Sequence, residues 1–282
     1  MLDVLAKEIN LSQEHFGKIR DLVYSHCGIS LSQDKKELVR SRLSKRLRQM
    51  KMDSFSQYVS YICKNENSDE FSNMIDLICT NLTSFFRERT HFNFLEKVLF
   101  DKIIHTKKSS PNKKIRLWSA GCSSGEEPYS LAITLNEKFE SLAHWDIKIL
   151  ASDVSYRILD RAKTGIYDPK RVEPLTPEIK SKYLTRINHD GQNLFQVKPA
   201  IRDMITFAYI NLMEPFPFRG PLDIIFCRNV MIYFDKQTQE KLISKFWKVL
   251  GTGGVLFTGH SESLTGIQHK FKYIQPTIYQ KD

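Results

Sequence analysis

Apolar residues recur at three- and four-residue spacing from about Gln13 to Thr80, with polar breaks near Gly28, Asp53 and Asn65–Ser68. That period predicts a small all-helical domain over residues 1–80. Within it, the stretch from Gln33 to Met50 places Val39, Leu43, Leu47 and Met50 on one stripe, with Ser32 as the expected N-cap. Beyond Thr80 the pattern changes. Residues 81–114 read as a linker and first helix, Phe92–Ile104, followed by a polar, basic link from His105 to Lys114. Residues 115–282 then alternate strands with helices. The expected strands are Ile115–Ser119, Ile147–Ser152, Thr206–Ile210, Leu222–Cys227 and Gly254–Gly259; the expected helices run from Pro128 to Phe139, Ser155 to Thr164 and Lys236 to Leu250. Such alternation predicts an α/β domain with a parallel sheet, whose ligands collect at the carboxyl ends of the strands. The segment from Asp168 to Asp203 interrupts it with four prolines, a turn at Asn188–Gly191 and the short apolar run Leu194–Val197, which predicts a small β excursion.

Composition adds bounds. With 282 residues, 41% hydrophobic and 26% charged, the chain has enough length for a sizeable core. Its apolar runs are strand-sized, so no membrane span is expected, and the N-terminus lacks the basic-then-apolar order of a secretory signal. A cytoplasmic location follows as the expectation. The five cysteines are scattered, with no Cys-x-x-Cys pair and no histidine at ligand spacing; reduced, mainly buried thiols and no metal site are expected. The net charge of +10 implies an anionic partner. Much of that charge lies on the second helix, where eight basic residues, among them Arg42, Lys45, Arg46 and Arg48, face only Asp34 and Glu37. A solubilising surface and an anion-recognition face are both open readings.

Candidate chemistry concentrates in Arg116–Tyr129, where an apolar strand meets a two-glycine turn and a helix start carrying Glu126 and Glu127. The spacing Gly121-x-x-x-Gly125 fits neither the dinucleotide fingerprint nor a phosphate-cradling loop, because no Lys-Ser/Thr pair follows Gly125. Carboxylates at that helix start repel phosphate and suit a cation or ribose hydroxyls. S-adenosylmethionine, a sulfonium without phosphate, fits; an ordinary strand-to-helix turn with acids favouring the helix dipole is the plain alternative. Asp153 ends a strand, either as a ribose acceptor or as a helix N-cap. Asn229 follows Leu222–Cys227 directly, either for an adenine edge or a carboxylate or as a turn residue. Tyr233 is either a core aromatic or a hydroxyl facing the methyl group. Arg87, beside Phe85 and Phe86, is either an anion clamp or a surface residue of a packing segment.

Taken together, Asn-Leu-Thr-Ser-Phe-Phe-Arg at 81–87, Gly-Cys-Ser-Ser-Gly-Glu-Glu-Pro-Tyr-Ser at 121–130, Ala-Ser-Asp at 151–153, Asn211-Leu212, Phe-Cys-Arg-Asn-Val-Met-Ile-Tyr-Phe at 226–234 and Gly-His-Ser-Glu at 259–262 resemble the chemotaxis receptor glutamate methyltransferases of the CheR family. The motifs occur in family order across most of the chain. The resemblance implies an all-α N-terminal substrate-recognition domain, then a Rossmann-like S-adenosylmethionine-dependent methyltransferase domain with a small inserted β subdomain around 168–203. By motif position it implies cofactor contacts at Asn81, Thr83, Arg87, Glu127, Asp153, Asn211, Leu212, Asn229 and Val230, with Glu126 as an alternative to Glu127. Arg87 and Tyr233 match residues beside the methyl group. It further implies methyl ester formation on chemoreceptor glutamates for sensory adaptation, with S-adenosylhomocysteine as product and recruitment to membrane receptor arrays. Arg42, Lys45, Arg46 and Arg48 become candidate contacts to the Glu- and Gln-rich helical methylation region, and the β subdomain offers an edge to a receptor tail peptide. Neither nucleic-acid binding nor membrane insertion is expected. A nucleic-acid methyltransferase is the competing enzyme reading, against which stands the lack of an Asn/Asp-Pro-Pro-Tyr motif; a non-catalytic cofactor-binding adaptor is the other.

Overall fold

The computed structural model describes residues 9–65, 69–79, 81–107, 113–139 and 145–282. The N-terminal octapeptide and most of the basic link between His105 and Lys114 lie outside them. The chain forms two compact units, Met1–Thr80 with Tyr233–Asp235, and Asn81–Ile232 with Lys236–Asp282.

The first unit contains α1 (Gln13–Cys27), α2 (Lys36–Gln49), α3 (Phe55–Lys64) and α4 (Asp69–Ile78). Ser12 caps α1 through His15 N–H, and Gly28 ends it in the left-handed conformation at φ 73°. The predicted stripe is the packed one: Val39, Leu43 and Leu47 are fully buried and Met50 is half-buried. The expected helix start is different. Gln33–Lys35 form a 3₁₀ turn, and Ser32 makes no side-chain cap; its carbonyl instead accepts from Lys35 N–H at 3.0 Å. This tighter first turn delays the α-helix to Lys36.

The second unit opens with α5 (Arg89–Phe94), a π-helical turn at Leu95–Leu99 and α6 (Phe100–Lys107), which replace the single helix expected over Phe92–Ile104. Then come β1 (Lys114–Ala120), α7 (Glu126–Phe139), β2 (Asp146–Asp153), α8 (Tyr156–Thr164), β3 (Ile166–Tyr167), α9 (Pro177–Tyr183), β4 (Leu184–His189), β5 (Gln192–Val197), α10 (Pro199–Arg202), β6 (Ile205–Tyr209), β7 (Leu222–Cys227), α11 (Lys236–Val249), β8 (Leu250–Thr258), β9 (Lys272–Gln275) and β10 (Ile278–Gln280). Among the described residues, seven strands form one sheet in the order β6-β2-β1-β7-β8-β10-β9. The first five are parallel, in register Trp118↔Leu150 and Trp118↔Ile225. The terminal hairpin adds antiparallel strands that the periodicity did not predict. The inserted segment forms a separate antiparallel sheet, β3-β5-β4. Its hairpin turns at Asp190 (φ 49°) and Gly191 (φ 76°), the two consecutive left-handed positions that a two-residue loop of this twist requires.

The chain runs outward from β1 to β2 and β6, then returns to β7 on the other side of β1. Strand order therefore reverses at β1/β7, and the carboxyl ends there form the crevice where this architecture binds ligands.

Candidate active site

The turn after β1 is tied to the end of β2. Gly121 and Cys122 N–H both donate to Ser152 O at 2.8 Å, and Ser123 N–H donates to Asp153 Oδ2 at 2.9 Å. Asp153 Oδ1 accepts from Ser155 N–H at 3.1 Å, so the carboxylate supports both the turn and the entry to α8. The N-cap itself is Ser155, whose hydroxyl accepts from Ile158 N–H. Gly121 (φ 83°) has no room for a side chain: a Cβ would lie 2.4 Å from Val230 Cγ2. Ser123 Oγ donates to Asn81 O at 3.3 Å, which brings the 81–88 segment to the same edge.

The two acidic residues of the turn behave differently from the expectation of carboxylates awaiting a cation. Glu126 is fully buried and paired with Arg171 and Ser124 Oγ. Glu127 accepts from Ser119 Oγ at 2.7 Å and from Arg228 Nε at 2.7 Å. A desolvated carboxylate must be matched internally, and here each has its own arginine. The charge of the turn is thus largely balanced within the protein.

Arg228, 5% exposed, is the hub here; the sequence places it at a strand end and in the 226–234 motif without assigning it a role. Besides Glu127, its Nη1 donates to Arg87 O at 2.7 Å and His91 Nδ1 at 3.0 Å and lies 3.4 Å from Glu88 Oε2. Its guanidinium also sits over the Phe92 and Phe226 rings. The only sequence signal is a charge placed directly after the buried strand Leu222–Cys227. Burial pushes the Glu88 carboxyl up, but Arg228 and the bonds from His260 N–H and Asn229 Nδ2 outweigh it, and the net shift is downward.

His91 is assigned a single tautomer by its partners. Thr277 Oγ1 donates to Pro276 O at 2.6 Å, so it accepts from His91 Nε2–H at 2.7 Å, and Nδ1 is left to accept from Arg228. Glu88, His91 and His260 bring ligand atoms within 4.8 Å of one another, but the Nδ1 lone pair is committed and a guanidinium occupies its direction. That donor set does not suit a metal ion. Burial and Arg228 lower the His91 pKa to about 3. The unfolded state then takes up a proton below the ordinary value of 6.5 that the folded state refuses. Stability is fully present above pH 6.5 and is lost as pH falls toward 3, by about 2 kcal/mol between pH 7 and pH 5. Urea unfolding at the two pH values is expected to show this loss, and His91→Asn to remove most of that pH difference.

The remaining candidate residues fall into place as follows. Asn211, 3% exposed, spends its amide on its own turn, accepting from Met213 N–H at 3.0 Å and donating to Glu214 Oε1 at 3.3 Å. Leu212 O accepts from Lys245 Nζ at 2.6 Å. Thr83 and Arg87 are half-buried, and Arg87 Nη1 donates to Leu82 O at 2.8 Å. Asn229 adopts φ 59° and donates through Nδ2 to Glu88 Oε1. Asn81, Arg87, Glu127, Asp153, Asn229 and Val230 are therefore joined by direct contacts or one shared neighbour. Tyr233 is half-buried and packs in the helical unit, where its carbonyl accepts from Ser30 N–H at 2.8 Å. In the same unit Arg42 Nη1 donates to Leu77, Ile78 and Cys79 carbonyls, closing the end of α4. Arg46 pairs with Glu70, a 6% exposed carboxylate that also accepts from Tyr58 OH. Lys45 and Arg48 are exposed. The four basic residues read as one patch thus divide into two structural and two surface cations. The five cysteines carry free thiols, of which Cys27, Cys122 and Cys227 are buried.

Residues 14–79 match the family described as CheR methyltransferase, all-alpha domain, and residues 81–280 match CheR methyltransferase, SAM binding domain. A chemotaxis protein methyltransferase of Borreliella burgdorferi is 41% identical over 276 residues, covering 97% of this chain and 96% of that one. The Salmonella typhimurium chemotaxis protein methyltransferase is 37% identical, covering 98% and 92%, and a probable one of Rhizobium etli is 37% identical, covering 92% and 96%.

Proposed function

The chain belongs to the CheR methyltransferase family, with an all-α domain and a SAM binding domain, and from that premise we propose that it methylates glutamate carboxylates of chemoreceptors. The observation that carries the reading is the Gly121–Gly125 turn held at the switch point by Asp153, with both neighbouring glutamates neutralised internally. The donor set fits S-adenosylmethionine. The Gly121–Gly125 turn carries no lysine, and Gly121 leaves no room for a side chain beside Val230.

In this reading Asp153 accepts the ribose hydroxyls, since each oxygen of a carboxylate can accept more than one hydrogen bond and Ser123 N–H and Ser155 N–H fix its orientation. Glu127, at 8% exposure and oriented by Ser119 and Arg228, is the cofactor-side carboxylate, whereas Glu126 is fully enclosed with Arg171. Asn81, Thr83, Asn211, Leu212, Asn229 and Val230 complete the contacts, and Arg87 serves the reacting groups. The bound cofactor supplies a methyl group on a cationic sulfur. A glutamate side chain with pKa near 4.3 is already ionised at neutral pH, so the protein needs no strong base. Its task is to exclude water and to align one carboxylate oxygen in line with the bond that breaks. Arg87 steers the incoming carboxylate, and its Leu82 tether keeps the guanidinium from wandering.

Substrate choice falls to the helical unit. Lys45 and Arg48 are the α2 cations with exposed side chains, and an acidic receptor helix is their complementary partner. Lys45→Glu with Arg48→Glu is expected to raise the KM for receptor about 10- to 100-fold, most strongly at low salt, with S-adenosylmethionine affinity unchanged. Steady-state methylation alongside cofactor calorimetry reads both. Equal loss of the two would remove α2 from substrate recognition.

A further inference from the structure

Glu262 is 5% exposed and lies shortly after β8, beside the Asn229–Ile232 turn. Its carboxylate gathers backbone donors: Oε2 accepts from Asn229 N–H at 2.7 Å and Gly259 N–H at 2.6 Å, and Oε1 accepts from Ile232 N–H at 3.0 Å. Its own backbone closes the clip, with Glu262 N–H donating to Gly259 O at 2.8 Å and Thr258 Oγ1 donating to Glu262 O at 2.8 Å. Gly259 is required there, because a Cβ would fall 2.6 Å from Glu262 Oε2 and 2.8 Å from Asn229 N. These convergent N–H groups, joined by that of Val230, need an acceptor-only side chain; an amide in its place turns one donor against another. The segment being held, Asn229–Ile232, includes a left-handed non-glycine residue, Asn229 at φ 59°, and Val230, whose Cγ2 closes over Gly121.

We infer that Glu262 is a positioning residue for the cofactor, acting through the backbone of Asn229–Ile232 to fix where Asn229 and Val230 present themselves. The inference rests on the reading of those two residues as cofactor contacts. It assigns the Gly-His-Ser-Glu segment a purpose in which Glu262, not His260, carries the effect: the His260 side chain is 54% exposed and meets Thr90 Oγ1 at 3.2 Å. Burial raises the Glu262 carboxyl pKa, against the pull of the backbone N–H bonds, so the ionised form is held at a cost in the folded protein.

The test is Glu262→Gln in the full chain, with kcat, the KM for S-adenosylmethionine and the thermal midpoint measured together. The KM is expected to rise about 10-fold, the free-energy equivalent of one buried donor left without its acceptor. At saturating cofactor kcat stays within about 2-fold, because bound ligand restores the turn. Glu262→Asp, which keeps the charge but withdraws it by one methylene, gives the same selective rise in KM and serves if the Gln variant fails to fold. An unchanged KM, or a parallel loss of kcat, KM and Tm in both variants, overturns the inference. Asn229→Ala separates the two levels of argument: normal cofactor affinity there removes the underlying contact reading, whereas weakened affinity beside a normal Glu262→Gln leaves that reading intact and removes only Glu262.

Discussion

Arg228→Ala is expected to lower the unfolding free energy by about 3–5 kcal/mol, the cost typical of breaking a buried ion pair from one side. The reason lies in what remains behind. Glu127 Oε2, Glu88 Oε2, Arg87 O and His91 Nδ1 all face this guanidinium, and Glu127 and Glu88 carry charge in a site almost closed to water. A lysine has three donors on one point and no planar fork, so Arg228→Lys recovers only part of the loss. Adding Glu127→Gln to Arg228→Ala removes one stranded charge and is expected to return about 1–2 kcal/mol, a coupling that a double-mutant cycle measures by urea unfolding. Additive losses would show that Glu127 does not depend on Arg228.

The second large effect is on catalysis. Arg87→Ala is expected to reduce kcat/KM about 100- to 1000-fold, or roughly 3–4 kcal/mol of transition-state stabilisation, with S-adenosylmethionine bound about 10-fold more weakly. The guanidinium sits on a segment whose carbonyl is fixed by Arg228 and whose side chain is anchored on Leu82 O, so its placement is built by the fold. Binding the receptor carboxylate too strongly would stabilise the ground state more than the transition state, in which the opposite charges of the reactants cancel. The half-buried, partly engaged Arg87 suits steering better than tight capture. Arg87→Lys, which keeps charge but loses the fork, is expected to fall between the two. Single-turnover methylation and cofactor calorimetry separate the steps, and unaltered activity in Arg87→Ala would remove this residue from the mechanism.

These two residues also mark how far a sequence discloses its site. Arg87 is a candidate from sequence because its neighbours Phe85 and Phe86 give a local pattern, and the Arg87→Ala measurement tests that candidacy. The parallel strands were legible, since Leu222–Cys227 and Ile147–Ser152 are apolar runs bounded by polar turns and the structure moves the ends of these two by one residue at most, whereas the strand expected from Gly254 begins four residues earlier, at Leu250. Arg228 was not, because its partners lie 101 and 140 positions away and only the fold brings Glu127 and Glu88 to it. The terminal hairpin escaped for another reason: Lys272–Gln275 is short, mostly exposed and without alternation. Arg42 and Arg46 show the converse error. Charge density along α2 suggested one recognition surface, yet Arg46 answers a buried Glu70 and Arg42 answers the carbonyls ending α4, contacts invisible to a count of charges.

Carboxyl methylation of receptor leaves a base-labile ester, so alkaline release of label is its decisive readout. Chemoreceptor-containing membranes incubated with the protein and methyl-labelled S-adenosylmethionine are expected to acquire label that base liberates as volatile methanol, and receptor with Gln at the methylated positions is expected to acquire none. Base-stable label, or cofactor binding with no transfer to receptor, would contradict the account.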